Sequence, residues 1–318
     1  MSEIQEYATV INRWIDGIDY PSRPEGLYEP IKYMLGGGGK RIRPMLLCAS
    51  AESHGLTLED VRPQALGIEM FHNFTLLHDD VMDNADMRHG KPTVHRRWNI
   101  PTAILSGDTM LTLAGEYMRD CSPSIRDRVV GVFNRTAIEI YEGQQYDMNF
   151  EKCNNVTISM YVEMIRLKTA VLLGCACAIG AMLGGADDSS QENMYRYGEQ
   201  LGLAFQLRDD YLDTFGNSKT FGKEIGGDIL NDKKTWLRVK ASEKAGDEID
   251  RIALTKTGKD KITAMTALYK NLGVDRECLT EIDKYTCNAI GYIDRVSMPE
   301  SFKQFFKNIA SAATNREY

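Results

Sequence analysis

Apolar residues recur at intervals of three and four along almost the whole chain, whereas convincing alternation between apolar and polar residues is absent. The first spacing puts apolar side chains on one face of a helix, and the second is typical of strands. We therefore predict an all-α protein of roughly ten to thirteen helices. They cover residues 3–17, 25–36, 41–54, 58–84, 93–119, 123–150, 155–185, 188–214, 234–257, 260–272, 275–296 and 299–312. Because no repeat or linker divides the chain, a single domain over residues 1–318 is expected.

Composition narrows the class of protein. A hydrophobic content of 43% is enough for a substantial core, and a net charge of −7 argues against nucleic acid as a partner. Seven cysteines form no CxxC pair, and Cys175 and Cys177 lie in an apolar helical run, so buried free thiols are favoured over zinc. The apolar run 170–185 is short for a membrane span. We expect a reduced, soluble, cytoplasmic protein.

A cluster of aspartates, Asp79, Asp80 and Asp83, ends the helix predicted at 58–84. Asp79 and Asp83 are one turn apart on the same face, where two ionised carboxylates repel each other unless a cation lies between them. Mg²⁺, which prefers oxygen ligands, is the natural candidate. A solvated acidic helix end is the alternative. A second cluster favours the metal site, and it comprises Asp209, Asp210 and Asp213.

The helix before the first cluster separates into two faces at about 100° per residue. One stripe is apolar and is predicted to face the core: Leu66, Met70, Phe74, Leu77 and Val81. The opposite stripe is polar along its length and suits the lining of a cavity: His72, Thr75, Asp79, Asp83 and Asp86. The helix predicted at 188–214 has one face that carries Gln206, Asp210 and Asp213. If both helices line one cavity, metals held there suit a ligand with its own negative oxygens, such as a diphosphate.

The most basic short run follows four glycines, Gly36 to Gly39, and contains Lys40, Arg41 and Arg43. It is not a Walker A loop, because Met34 stands where glycine is needed, Arg41 replaces the serine or threonine, and no strand precedes it. The glycines still allow close approach to an anion, and Arg43 offers a planar donor fork. A helix-joining loop with solvated cations is the alternative. Further basic candidates are Arg88, Lys168, Lys223 and Lys234.

Together these motifs resemble the trans-type isoprenyl (polyprenyl) diphosphate synthases over nearly the whole chain. They occur in the order of that family: GGKRIRP (38–44), HDDVMD to DMRHGKPT (78–93), GQQYD (143–147), LKTA (167–170), FQLRDDYLD (205–213), FGKEIGGDI (221–229) and KKTWL (233–237). The resemblance implies the isoprenoid synthase type I fold, with helices around a deep central cavity, and a homodimer. It also implies condensation of isopentenyl diphosphate with an allylic diphosphate (dimethylallyl, geranyl or farnesyl).

The resemblance assigns roles by position. The metal ligands are Asp79, Asp80, Asp83, Asp209, Asp210 and Asp213, with several Mg²⁺ ions bridging both motifs and the allylic diphosphate and Mn²⁺ as a substitute. Isopentenyl diphosphate is bound by Lys40, Arg43, His72 and His89. The allylic diphosphate is bound by Arg88, Lys168, Lys223 and Lys234, supported by Gln144 and Asp147. Thr169 and Gln206 lie near the reacting carbon. The family usually has arginine where His89 stands, so this contact depends on pH through an imidazole.

Product length is expected to depend on the residues below Asp79. The family shortens its product with a bulky residue five positions earlier, which is Phe74 here, although plain core packing is an alternative for this side chain. Thr75 is small, and Phe71 lies about 12 Å down the helix. These features favour a short product, geranylgeranyl over farnesyl diphosphate.

Other functions remain open at this stage. A longer-chain polyprenyl diphosphate synthase is the first alternative. A terpene cyclase is disfavoured by the second aspartate motif and the GGKRIRP run. A non-catalytic subunit is disfavoured because it would be expected to have lost some of these residues.

Overall fold

The computed structural model describes residues 3–153, 155–216 and 225–314, and most of these residues are helical. The all-α prediction is confirmed. The helices are α1 (Glu3–Asp16), α2 (Glu25–Leu35), α3 (Ile42–Glu52), α4 (Arg62–Met82), α5 (Val94–Arg97), α6 (Ile100–Arg119), α7 (Pro123–Glu151), α8 (Ile158–Ile165), α9 (Val171–Leu183), α10 (Asp188–Phe215), α11 (Gly227–Leu230), α12 (Trp236–Thr255), α13 (Gly258–Leu272), α14 (Val274–Asp294) and α15 (Glu300–Thr314). A 3-10 turn, Glu59–Val61, precedes α4, and a π turn, Arg166–Ala170, joins α8 to α9.

Most predicted helix ends agree with the structure within a few residues, but three local features differ. The single helix predicted at 93–119 is wrong, because α5 and α6 are separated where the Asn99 side chain accepts a hydrogen bond from the Thr102 amide (2.8 Å) and starts a new helix. The short helix α11 was not predicted. Neither was a two-stranded antiparallel hairpin, which comprises β1 (Met87–Arg88) and β2 (Lys91–Pro92).

The chain divides into two compact units, and each is assembled from two separate segments. The first unit comprises Met1–Asn134 and Ala176–Gln191, and the second comprises Arg135–Cys175 and Glu192–Tyr318. The long helices α7, α9 and α10 each contribute residues to both units. The single domain therefore stays a prediction.

In the first unit, α4 packs against α3 and α6. Gly67 permits a close approach to α6, since a Cβ there would lie 2.8 Å from the Met118 side chain. Most of the apolar stripe of α4 is buried as predicted, with Leu66, Met70, Phe74 and Leu77 at most 5% exposed, whereas Val81 is half-buried. The polar stripe is half-buried along most of the helix and exposed at its end. This arrangement presents the first aspartate cluster at the surface of the unit.

In the second unit, α12 packs against α8, α13 and α14 around a buried core that includes Trp236, Tyr269 and Leu207. The Thr235 side chain accepts a hydrogen bond from the Arg238 amide (3.4 Å) and caps the start of α12. Gly202 of α10 lies against the π turn, where a Cβ would be 2.5 Å from the Ala170 Cα. The second aspartate cluster near the end of α10 is thereby held beside α8 and the π turn.

Among the described residues, the continuous helical segment Ile158–Leu183 is long and apolar enough to cross a membrane by length and composition. However, 83% of its apolar window is buried inside the protein. It therefore has the character of a core helix.

Candidate active site

The first aspartate cluster lies at the C-terminal end of α4, where a helix carries partial negative charge. Asp80 is buried (3% exposed), Asp79 is half-buried and Asp83, the residue that follows the helix, is exposed. Three carboxylates at this end repel both one another and the helix dipole. The cluster is therefore stabilised by positive charge, which the protein supplies in part through Arg88.

Arg88 comes from β1 and holds the cluster in place. Its Nε and Nη2 both lie 2.8 Å from Asp80 Oδ1, and Nη2 lies 3.9 Å from Asp79 Oδ2. Burial raises the pKa of the Asp80 carboxyl, and the hydrogen bond from Arg88 opposes that rise. Asp80 Oδ2 is buried and accepts no hydrogen bond from the described residues. The Oδ1 atom of Asp80 is thus held by Arg88, whereas its Oδ2 atom is available to a ligand.

The basic run before α3 separates into three environments. Lys40 is exposed. Arg41 is buried, with Nη1 2.5 Å from Glu69 Oε1 and Nη2 2.7 Å from the Leu35 carbonyl, so it stabilises the fold. Arg43 instead meets His72, with Nη1 3.1 Å from the ring Nε2. Of the three cations, Lys40 and Arg43 remain candidates for binding an anion.

His72 is neutral in this arrangement. A guanidinium can only donate, so Nε2 must be the accepting nitrogen and the ring proton is on Nδ1. The pKa of His72 lies well below its ordinary value, first because of burial and then because Arg43, Arg88, Arg41 and His89 are close enough to disfavour the imidazolium. The structure thus brings three predicted isopentenyl diphosphate residues, Arg43, His72 and His89, near one another.

A cleft in the first unit is lined by Gly37 and Gly38 of the glycine run together with Arg88, His89 and Lys91 of the hairpin. His89 and Gly90 form the hairpin tip in left-handed conformations, at φ 49° and φ 75°. Glycine adopts this region freely, and histidine is one of the residues that tolerate it. The hairpin therefore presents cations beside backbone that has no side chains to block an anion.

In the second unit, the π turn presents Lys168 and Thr169. Lys168 Nζ lies 2.6 Å from Asp147 Oδ2 of α7. The approach of α7 depends on Gly143, because a Cβ there would lie 2.3 Å from the Lys168 amide nitrogen. A π turn inside a helix frequently marks a functional site, since it redirects side chains that a regular helix would place elsewhere. This contact brings together Lys168 and Asp147, two of the residues that the resemblance assigns to the allylic diphosphate.

Thr169 starts a short hydrogen-bond chain that ends at Asp210. Its hydroxyl donates to Gln206 Oε1 (3.3 Å), and Gln206 Nε2 donates to Asp210 Oδ1 (3.2 Å). Asp210 Oδ2 accepts from the Tyr161 hydroxyl and from the Trp236 amide (3.2 Å). Burial, followed by the charge of Asp228, raises the pKa of Asp210 to about 7 despite these hydrogen bonds.

A cavity of about 210 Å³ within the second unit is lined by Tyr161, Thr169, Gln206 and Asp210. Its polar lining includes three lysines and three aspartates, a mixture suited to a ligand that carries both phosphate and metal. They are Lys168, Lys233, Lys234, Asp147, Asp210 and Asp228. Burial, then Arg238, lowers the pKa of Lys234. Gln144 is not among the described residues that line this cavity.

Asp213, the last aspartate of the second cluster, accepts hydrogen bonds from backbone amides at the start of α11. Its Oδ2 accepts from the Asp228 amide (3.0 Å), and its carbonyl accepts from the Gly226 amide (2.7 Å). Asp209 is half-buried. Lys223, which was predicted to bind the allylic diphosphate, lies outside the described residues.

The model of the polyprenyl synthetase family matches residues 24–272. This match covers most of the chain and contains both aspartate clusters.

The chain belongs to the polyprenyl synthetase family.

Relatives agree with this assignment. The geranylgeranyl pyrophosphate synthase of Geoglobus acetivorans is 41% identical over 261 residues, which cover 81% of this chain and 81% of that protein. The geranylfarnesyl diphosphate synthase of Natronomonas pharaonis is 38% identical over 268 residues, with 77% of each protein covered. A crystal structure of a geranylgeranyl pyrophosphate synthase is 39% identical over 100% of both chains, with a TM-score of 0.94. The isoprenoid synthase fold is thereby confirmed.

Enzymes of the polyprenyl synthetase family depend on magnesium in general, and the residues here fit that ion. Among the described residues, no three His, Cys, Asp or Glu side chains converge on one metal position. Mg²⁺ needs fewer, because it is held by one or two carboxylates together with phosphate oxygens and water. The buried Asp80 Oδ2, which accepts no hydrogen bond from the described residues, offers a hard oxygen of this kind.

The residues predicted to set product length are packed below the first cluster. Phe71 is fully buried, with its ring 5.5 Å from Phe74 and 5.1 Å from Phe133. The Phe74 ring contacts His78 at 4.8 Å. Thr75 is half-buried and donates to the His72 carbonyl (2.7 Å). Within the first unit, both phenylalanines thus belong to one aromatic cluster of the core.

Among the polar residues that line the second cavity, sequence reasoning missed Lys233 and Tyr161. Lys233 lines it, with Nζ 3.9 Å from Asp228 Oδ1, although the prediction chose its neighbour Lys234. The adjacent basic residues Lys233 and Lys234 were the available signal, but the sequence did not show that both line the cavity. Tyr161 was missed because nothing in its local sequence connects it to Asp210, 49 residues away.

Proposed function

We propose that this protein is a trans-prenyltransferase that condenses isopentenyl diphosphate head-to-tail with an allylic diphosphate, and that geranylgeranyl diphosphate is its main product. The observation that carries this proposal is the cavity of the second unit, in which Lys168, Lys233 and Lys234 lie among carboxylates and beside Thr169 and Gln206. Lysines bind the oxygens of a diphosphate, and carboxylates hold its Mg²⁺. The relatives named geranylgeranyl synthase support the product.

The direct test is incorporation of labelled isopentenyl diphosphate with dimethylallyl, geranyl or farnesyl diphosphate, followed by chain-length analysis. We expect incorporation that requires Mg²⁺, is lost on chelation and is restored by Mg²⁺ or Mn²⁺. No incorporation with any of the three primers would overturn the proposal. A cyclic or unphosphorylated product would instead indicate a terpene cyclase.

In the proposed reaction, the allylic diphosphate is bound by Lys168, Lys233 and Lys234, with Asp147 holding Lys168 in position. Arg88 and Lys223 are proposed to assist. Carboxylates of the aspartate clusters would hold Mg²⁺, which would supply positive charge to neutralise the leaving diphosphate. The allylic C–O bond breaks, and the diphosphate leaves with the electron pair. Thr169 and Gln206 direct oxygen lone pairs toward the carbon that becomes positive.

Isopentenyl diphosphate is proposed to bind to Lys40, Arg43, His72 and His89. The neutral imidazole of His72 orients the Arg43 guanidinium without neutralising it, so the positive charge of Arg43 can bind the diphosphate. The double bond of isopentenyl diphosphate attacks the allylic carbon, a carbon–carbon bond forms, and one proton then leaves. The released diphosphate accepts that proton. The apolar helices exclude water, which would otherwise quench the cation.

Product length is proposed to be limited by Phe71 and Phe74, because their buried rings pack against each other in the part of α4 that precedes Asp79. We expect Phe74→Ala to lengthen the product by one isoprene unit and Phe71→Ala/Phe74→Ala to lengthen it further, as measured by chromatography of the dephosphorylated products. Phe133→Leu, which changes an α7 ring that contacts Phe71, is the control and should leave the distribution nearly unchanged. An unaltered product from the double variant would contradict this mechanism.

We also propose a homodimer in the cytoplasm. Three large apolar side chains on the first two turns of α6 are exposed, and a second copy of the chain would cover them: Ile100, Ile104 and Leu105. Leu105→Glu should shift the protein from dimer to monomer in light scattering coupled to size exclusion, whereas Thr112→Glu on the same helix should not. The seven cysteines, all among the described residues, form no disulfide, which suits a reducing compartment. Cell fractionation tests the location.

A further inference from the structure

Tyr161 lies in the second cavity, but the mechanism above does not use it. Its ring is 2% exposed, and its hydroxyl donates to Asp210 Oδ2. A carboxylate oxygen can only accept a hydrogen bond, so the phenol hydroxyl of Tyr161 is the donor in this contact.

The hydrogen bonds around Asp210 have a fixed direction. A carboxylate offers about four acceptor positions, and three are used by Tyr161, the Trp236 amide and Gln206 Nε2. Because the amide NH₂ of Gln206 is committed to Asp210, its Oε1 must face the Thr169 hydroxyl, which donates to it at 3.3 Å. The orientation of Asp210 therefore sets which way round the Gln206 amide lies and where the Thr169 lone pairs point.

We propose that Tyr161 is a positioning residue, which fixes Gln206 and Thr169 toward the reacting allylic carbon by holding Asp210. This inference rests on the proposed function. Without the hydroxyl, the Trp236 amide at 3.2 Å is the one donor left to Asp210 Oδ2 among the described residues, and this contact is at the long end of the N–H···O range. The carboxylate then rotates more freely, and the alignment of Gln206 and Thr169 is loosened.

The test compares Tyr161→Phe with Tyr197→Phe. Tyr197 is also fully buried in the second unit, and its hydroxyl donates to the Phe306 carbonyl (2.8 Å). It is not among the described residues that line the cavity. Each variant loses one buried hydrogen bond, so both should lower the melting temperature by similar amounts. The measurements are kcat, KM for each substrate, and the Kd of inorganic pyrophosphate in the presence of Mg²⁺ by calorimetry.

We expect Tyr161→Phe to lower kcat about tenfold and to weaken pyrophosphate binding about threefold, the scale of one well-formed hydrogen bond. The KM for isopentenyl diphosphate should stay within about twofold of wild type, as should every parameter of Tyr197→Phe. In an Asp210→Asn background, Tyr161→Phe should cause no further loss, because the hydroxyl acts through Asp210.

Equal kinetic behaviour of Tyr161→Phe and Tyr197→Phe would overturn the inference. If Tyr161→Phe does not fold, Asp210→Asn tests the same hydrogen bonds, and a kcat within about twofold of wild type would overturn it instead. Wild-type protein without prenyl transfer would refute the proposed function. In that case pyrophosphate binding by Tyr161→Phe still decides whether Tyr161 organises the cavity.

Discussion

The two aspartate clusters share the spacing DDxxD, yet their central residues are held by different chemistry. Asp80 and Asp210 are both buried, at 3% and 5% exposure, and burial raises the pKa of each. Asp80 is compensated by the charge of Arg88, whereas Asp210 is surrounded by neutral donors. A cation stabilises the ionised carboxylate more strongly than neutral donors do. One motif thus produces two electrostatically different sites.

The largest expected effect tests whether both clusters are needed. Asp79→Ala and Asp209→Ala should each lower kcat about 10³-fold, because each removes a carboxylate proposed to hold the Mg²⁺ that neutralises the departing diphosphate. Incorporation of labelled isopentenyl diphosphate measures this. Asp86→Ala is the control, since Asp86 is 78% exposed and pairs only with Arg96 among the ion pairs of the described chain. Full activity of either cluster variant would show that only the other cluster serves the reaction.

Removing Arg88 sharpens the contrast between the central aspartates. Arg88→Ala leaves Asp80 buried without its cation, and we expect a loss of about 3 kcal/mol in the free energy of unfolding without metal. Tyr161→Phe, which removes one neutral donor from Asp210, should cost only about 1 kcal/mol. Urea titrations measure both. The double variant Arg88→Ala/Asp80→Asn should recover most of the loss, and failure to do so would mean that Arg88 stabilises the hairpin by another route.

The close helix contacts at glycine also differ between the two units, because one meets backbone and the other meets a side chain. A Cβ at Gly143 would meet the Lys168 backbone at 2.3 Å, whereas one at Gly107 would meet the end of the His78 side chain at 2.2 Å, which can rotate away. Gly143→Ala should therefore cost about 2 kcal/mol and raise the KM for the allylic substrate. Gly131→Ala is the control on α7, since nothing lies within 4 Å of its Cβ position, and it should stabilise slightly. A neutral Gly143→Ala would contradict the rigid contact.

The smallest effect concerns His72, whose pKa lies well below its ordinary value in the folded protein. As the pH falls below about 6.5, the unfolded chain binds a proton at this residue and the folded chain does not. Wild type should therefore lose stability relative to His72→Gln by at most about 1.4 kcal/mol per pH unit, with no pH-dependent difference above about pH 7.5. Denaturation at several pH values measures this. A difference that grows with rising pH would contradict the neutral imidazole.

Sequence periodicity was sufficient for most helices and for the two faces of α4, because a repeat of 3.6 residues is written directly in the chain. It was not sufficient for the break at Asn99, where a side-chain cap ends a pattern that stays helical in period. The hairpin was missed because each strand has two residues and a left-handed tip at His89 and Gly90. Such short strands carry no alternation to detect.

For the site, the sequence indicated which residues lie together but not every role. Residue types and motif order brought Lys168, Asp147, Thr169 and Gln206 into one group, and the structure places them in one cavity or in direct contact. The roles of Arg41 and Tyr161 could not be predicted, because each depends on a partner that is distant in sequence, Glu69 for the first and Asp210 for the second.

The π turn at Arg166–Ala170 changes how this segment can be compared with other sequences. A π turn holds about one more residue than a turn of α-helix, so the side chains after it are rotated by about 100° from the positions that an uninterrupted helix would give. A helical wheel drawn through 158–183 therefore assigns the wrong face to every residue of α9. Deleting one residue within the turn would restore a regular helix and move Lys168 and Thr169 out of register with Asp147 and Gln206. Spacing across this turn is thus as much a part of the motif as the residue types.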